Sequence, residues 1–368
     1  MERETWGKRG YFIFAALGSA IGLGNIWRFP YLTHTYGGGA FLIAWMVGLI
    51  VLGIPWLMLE FGMGRYFATS APGVFAGIGK KWEWLGWWPV WIAFGIITYY
   101  SVVLAWTVRY VAASATMAWG VGKAGAEAAG GFFFGDVLQL SDGPAAIGAP
   151  VTALVICLVI VWLVTFLVTF KGTKVIGPVS QYVMIIAWVL LGTLVVRGIT
   201  LPGAAQGLND YLSTDMSQLG NIEMWFGAFS QIAFTLSLGM AGMVAYGSFV
   251  KKRGDVNNNA VITSLGNCAT SFFAGFAVFS VVGFLMAAMP GEAVATKSVG
   301  LAFVSYPAAI SMMPGGNSFF GVIFFVALFL LGLSSLYFLT YGGVVAPLMD
   351  KFGWDRTKTT LGVCIVAF

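Results

Sequence analysis

An all-α polytopic membrane bundle is the fold class this sequence predicts, and three observations predict it. Hydrophobic residues make up 59% of the 368 and charged residues only 9%, against about 25% charge in a soluble domain. Apolar runs long enough to cross a bilayer recur along the whole length, so residues 1–368 read as a single transmembrane domain. Two of those runs carry glycines and small polar residues at their middles. Unwound backbone at that depth is tolerable only where protein buries it or it lines a cavity. The net charge of +5 belongs to loops on one side of the membrane and gives no reason to expect nucleic acid.

Each element is placed by the ~20 apolar residues that a span needs. The first helix, 11–33, begins near Tyr11 and lacks a small-residue cleavage site, so it is not a signal peptide. The second covers 40–64. The third, 86–117, follows Trp82, Trp84, Trp87 and Trp88, which have the character of interfacial anchors. Helices at 150–170 and 175–197 are uninterrupted, 222–249 carries the second interruption, and 258–289 and 318–346 follow. A ninth begins near Thr357 and reaches Phe368 about half a span later, so the bundle reads as truncated within helix 9, with C-terminal helices missing. The Gly- and Ala-rich stretch 118–149 reads as poorly ordered, and 290–317 as short helices dipping back over an external vestibule. Cys157, Cys268 and Cys364 all lie in apolar runs, which predicts neither a disulfide nor a metal site.

Basic residues fix the orientation. With the N-terminus inside, Arg3, Lys8, Arg9, Arg65, Lys80, Lys81, Lys171, Lys174, Lys251, Lys252, Arg253, Lys351, Arg356 and Lys358 are cytoplasmic. Only Lys123, Arg197 and Lys297 lie outside.

The first interruption holds Gly18, Gly22 and Gly24. Gly18 and Gly22 also fit a small-xxx-small packing pattern. A dinucleotide loop is excluded, since no strand precedes the glycines and they lie in a membrane span. Asn25 follows directly, with Arg28 a turn further out as a gate residue or a headgroup contact. The second interruption supplies Thr235 and Ser237, with Gly239 and Gly242 around Met240. Asn267, Ser334 and Ser335 add oxygens on later helices. Any one hydroxyl can simply bond back to its own helix. Uncharged oxygens at the centres of several helices suit a hard, singly charged cation, and matched interruptions in two halves of a chain mark a transporter's binding site. Glu60 is a rare intramembrane charge. It either accepts N–H groups freed by an unwound helix or sits at the interface beside Arg65. Arg109 reads as structural, and His34 as a surface or loop residue.

These motifs meet a known family. NIWRFPY (25–31), GGGAF (37–41), EFGMGR (60–65), Tyr99-Tyr100, FTLSLG (234–239) and GLSS (332–335) resemble the neurotransmitter:sodium symporters over essentially the whole chain. The resemblance implies a LeuT-like inverted-repeat bundle with helices 1 and 6 broken. One sodium would be held by Ala20, Asn25, Thr235, Asn267 and the substrate carboxylate. A second would be held by Gly18, Ile21, Leu331, Ser334 and Ser335. The substrate carboxylate would meet the Gly24 amide and the Tyr100 hydroxyl. Ala20, Gly22, Ile96, Phe234, Ser237, Met240, Ser335 and Leu339 would complete the substrate pocket, and Arg28 with Phe234 would close it from outside. Arg3, Trp6, Tyr246 and Glu60 belong to the inner gating region, with Asp350 as a partner for Arg3 although one position off the expected spacing.

Two departures refine the implied function. Monoamine transporters of the family carry an aspartate where this chain has Gly22, so the substrate should bring its own carboxylate: a neutral amino acid, hydrophobic or aromatic, facing the adaptable Met240. Chloride-independent bacterial members carry a carboxylate near Ser271, so a chloride ion is expected beside Ser271, Gln231, Thr235 and Asn267. Trp45 replaces the tyrosine usual there. The expectation is a sodium-coupled symporter of a prokaryotic plasma membrane, not an enzyme. Its partners are an amino acid and the bilayer, and it is a monomer or weak homodimer. The rivals are a channel, which a concentrated midplane break disfavours, and an amino-acid-binding sensor that transports nothing.

Overall fold

A computed structural model describes residues 3–141, 143–146, 148–290 and 298–368; Lys297 of the charge pattern lies outside them. The elements in chain order are α1 (Arg9–Ala20), α2 (Leu23–Thr35), α3 (Gly39–Phe67), α4 (Ala71–Ile78), α5 (Lys80–Thr116), α6 (Gly122–Gly131), α7 (Thr152–Thr169) and α8 (Thr173–Ile199). Then come α9 (Ala204–Leu212), α10 (Ile222–Thr235), α11 (Gly242–Ser248), α12 (Val256–Ala288), α13 (Leu301–Met312), α14 (Asn317–Phe352) and α15 (Arg356–Ala367). Among the described residues, six helices are long and apolar enough to cross a membrane, and the bent pair α1–α2 makes a seventh span.

Both interruptions are present in the backbone. Between α1 and α2 the chain turns by 59°, because Ile21 and Gly22 are extended rather than helical. Between α10 and α11, Ser237 (φ 53°), Gly239 (φ 70°) and Ala241 (φ 60°) occupy the left-handed region. For Ser237 and Ala241 that conformation costs roughly 1–2 kcal/mol each, so side chains must hold the turn in place.

The two broken helices lie against α3, α8, α12 and α14. α5 packs on α14, α8 on α12 and α14, and α3 on α11. The α3–α11 approach is set by Gly64, where an added Cβ would lie 1.9 Å from the Val244 carbonyl oxygen. Two long helices are wound partly as π-helix, over Leu49–Gly53 in α3 and Leu339–Val345 in α14.

One expectation is corrected. Within 118–149, α6 is a formed helix continued by a π-helical turn over Phe132–Val137. It is ordered by contact rather than by propensity. Phe133 stacks on Phe303 with ring centroids 5.2 Å apart, and the Trp119 indole donates to the Ser311 hydroxyl at 2.9 Å. This cluster fastens α6 and α13 to each other. The short helices α4 and α9 lie outside the spans that apolar runs predict.

Candidate functional site

Backbone freed at the two breaks needs partners, and the site is built from what answers it. Ser19, the penultimate residue of α1, offers its carbonyl to two hydroxyls, Ser335 on α14 at 3.2 Å and Ser237 in the second break at 3.3 Å. The two breaks therefore face each other across one carbonyl. Ser334 donates to the carbonyls of Gly18 at 2.6 Å and Leu331 at 2.7 Å. Gly18, Leu331, Ser334 and Ser335 thus gather oxygens, with no nitrogen or carboxylate among them. Oxygen-only donor sets fit hard cations, and an uncharged one fits a monovalent ion.

The neighbouring cluster is amide-rich. Asn25 Nδ2 donates to Asn267 Oδ1 at 2.9 Å and to the Ser271 hydroxyl at 2.7 Å. Asn267 and Thr235 bond each other at 3.2–3.3 Å. The Asn25 Oδ1, expected on a sodium ion, accepts the Gly22 N–H at 2.9 Å. It thereby caps the residue where the helix is unwound. A carbonyl oxygen keeps a second lone pair for a cation, so capping and ion binding are compatible.

Of the expected pocket residues, Tyr100, Ser335 and Phe234 meet the first break. Tyr100 lies beside it, and its hydroxyl accepts the Leu23 N–H at 3.4 Å, one residue before the Gly24 amide. A Cβ on Gly22 would lie 2.7 Å from the Ser335 hydroxyl and 3.2 Å from that of Tyr100, and one on Gly24 would lie 2.8 Å from the Phe234 ring. Ile96 and Met240 are half-buried, while Ser237 and Leu339 are buried. Ala20 and Ile21 are buried at the break itself.

At one end of the site the Arg28 guanidinium stands 5.3 Å from the Phe234 ring centroid. It donates to Gln231 Oε1, and to the Ser230 hydroxyl at 3.1 Å. Ser230 was not anticipated. Two buried donors, Trp45 Nε1 and Gln231 Nε2, have no hydrogen-bond partner, and the helix carrying Trp45 packs on α10. The Ser271 hydroxyl is committed to the Asn267 carbonyl at 3.2 Å.

Glu60 is 3% exposed and accepts the Gly239 N–H at 2.7 Å and the Trp56 indole N–H at 2.9 Å. Arg65 turns away and donates to the Gly254 carbonyl, so the interfacial Glu60–Arg65 pair does not form. At the N-terminal end Trp6 is buried, donates to the Tyr246 carbonyl at 3.1 Å and packs on the Tyr246 ring at 5.0 Å. Arg3 pairs with Asp350 and bonds Ser248.

Residues 3–127 and 119–368 match the sodium:neurotransmitter symporter family. The chain belongs to that family. It is 40% identical over 366 residues to an uncharacterized sodium-dependent transporter of Methanocaldococcus jannaschii, with 99% of this chain and 73% of that protein covered. The sodium- and chloride-dependent creatine transporter 1 of Homo sapiens is 35% identical, with 100% and 64% covered, so the chain spans just under two thirds of that relative. The crystal structure of MhsT in complex with L-phenylalanine superposes with a TM-score of 0.83 at 33% identity, covering 99% of this chain and 79% of MhsT. This symporter-family member therefore shares the LeuT fold and is a multi-pass membrane transporter of the sodium-dependent kind, not an enzyme.

Proposed function

We propose that this chain is a sodium-coupled symporter that imports a neutral amino acid, hydrophobic or aromatic, across a plasma membrane with its N-terminus in the cytoplasm. The observation that carries the reading is the meeting of two unwound segments at the Ser19 carbonyl, within a shell of uncharged oxygens. The Gly24 amide and the Tyr100 hydroxyl, which accepts the Leu23 N–H, would offer hydrogen bonds to a carboxylate. No acidic side chain stands at position 22 to take an amine-only substrate. MhsT, a solved relative, is in complex with L-phenylalanine, which supports an amino acid of that class.

Ala20, Asn25, Thr235 and Asn267 would take one sodium ion together with the substrate carboxylate. Gly18, Ile21, Leu331, Ser334 and Ser335 would take a second. Sharing a carboxylate makes each ligand raise the other's affinity. Phe234 and Arg28 then cover the site, and Arg3, Trp6 and Tyr246 open on the opposite side. A chloride ion would take hydrogen bonds from the unpartnered N–H groups of Trp45 and Gln231, beside Ser271 as the resemblance implies, and would offset part of the sodium charge.

The test is uptake of a labelled amino-acid pool into proteoliposomes with sodium or potassium outside. Accumulation in sodium alone is expected. Saturable binding without accumulation would instead identify a sensor.

A further inference from the structure

We propose that Glu4 is a second inner latch, of opposite polarity to the Arg3–Asp350 pair, which caps α8 from outside that helix. A helix leaves its first N–H groups without partners, and α8 begins after Gly172 (φ 62°) with no cap from its own sequence. Glu4 Oε2 takes that role, accepting the Thr173 backbone N–H and the Thr173 hydroxyl, both at 3.1 Å. The same oxygen pairs with Arg356 Nη2 at 3.3 Å, and Oε1 accepts the Tyr341 hydroxyl. One carboxylate thus joins the segment before α1 to α8, α14 and α15. A negative charge at a helix N-terminus is also favoured by the helix dipole.

The neighbouring pair is the mirror image. Arg3 is positive and meets Asp350, whose Oδ2 accepts from the Ser70 N–H at 2.8 Å and the Thr69 hydroxyl at 3.1 Å. Two adjacent residues of opposite charge therefore hold opposite charges at the two ends of the α14–α15 connection. The pairs line a cavity of about 480 Å³ with Trp354 and Tyr341, so water reaches them. Pairs open to solvent are individually weak, as a latch that must open in every cycle requires. The inner position and the opening in each cycle rest on the proposed function; the Glu4 contacts do not.

Hydrogen–deuterium exchange of the full chain reads the latch without needing transport, so its failure is separate from failure of the symport reading. Glu4→Gln removes the charge from several hydrogen bonds. It is expected to speed exchange about tenfold in peptides covering 3–8 and in those covering 171–176. Asp350→Asn is expected to loosen 3–8 while leaving 171–176 within about twofold of the parent. The exchange of charges in Glu4→Arg with Arg356→Glu should restore 3–8 but not 171–176, because an arginine cannot accept the Thr173 N–H. Tyr341→Phe, which deletes one donor to the carboxylate, should give a smaller change of the same sign and serves if Glu4→Gln does not fold. Exchange at 171–176 unchanged in both Glu4→Gln and Tyr341→Phe, or full recovery of 171–176 by the charge exchange, would overturn the proposal.

Discussion

Glu60 Oε1 and the Gly239 N–H meet at 2.7 Å, joining α3 to the centre of the second break. The Trp56 indole, one turn back on α3, donates to the same oxygen at 2.9 Å. The contact fixes a turn in which Ser237 and Ala241 both sit at positive φ. Glu60→Ala removes a charge-assisted acceptor and leaves that N–H buried, which costs on the order of 2–3 kcal/mol. The expected result is a lower thermal midpoint in detergent and loss of sodium-dependent substrate binding. Glu60→Gln keeps one acceptor and should fall between the parent and Glu60→Ala.

A steric prediction follows from the neighbouring contact on the same helix. A Cβ at position 64 would lie 1.9 Å from the Val244 carbonyl oxygen and 2.9 Å from the Ser248 amide. Both are backbone atoms and cannot swing away. Gly64→Ala must therefore push α11 off α3, at a cost of about 3 kcal/mol or more. Size-exclusion chromatography after mild heating should show it aggregating well before the parent, whereas Gly62→Ala, with open space at its Cβ, should behave as the parent.

The two breaks and Glu60 were legible because lipid makes them expensive. Glycines, midplane oxygens and a lone acid stand out against a chain that is only 9% charged. The spacing of Asp350 was harder to read. It lies one position off an expected register, yet it pairs with Arg3. Between Ser335 and Asp350 the helix carries seven π-helical residues, Leu339–Val345, and π winding takes up an extra residue per insertion. The expected register came from the resemblance, and the pairing with Arg3 depends on this chain's own winding. Glu4 gave no signal either, because its partners at 173, 341 and 356 come from separate helices. The turn of the Asn25 amide toward Gly22 depends on the break's final geometry, which local sequence does not encode.

Position 22 tests the substrate class. Its Cβ direction points at the Ser335 and Tyr100 hydroxyls, 2.7 and 3.2 Å away. An aspartate there would set a second carboxylate against the substrate's own in a buried site. Like charges so placed cost several kcal/mol, so Gly22→Asp should weaken binding of a carboxylate-bearing amino acid by about a hundredfold or more. Competition binding checks this, with the decarboxylated amine expected to lose far less. Equal losses for both ligands would mean that the pocket had simply collapsed.

Trp45 tests the anion. Its indole N–H is buried and has no protein partner, and the same is true of Gln231 Nε2. If nothing binds there, Trp45→Phe removes an unsatisfied donor and should leave the protein as stable or more so. If chloride binds there, the substitution removes one of its donors, so the chloride concentration for half-maximal uptake should rise about tenfold, the worth of a single hydrogen bond to an ion. The two cases separate in one experiment: uptake in sodium across a chloride series balanced with gluconate, for the parent and Trp45→Phe. A parent indifferent to gluconate would exclude chloride coupling, and the two orphaned N–H groups would then call for buried water.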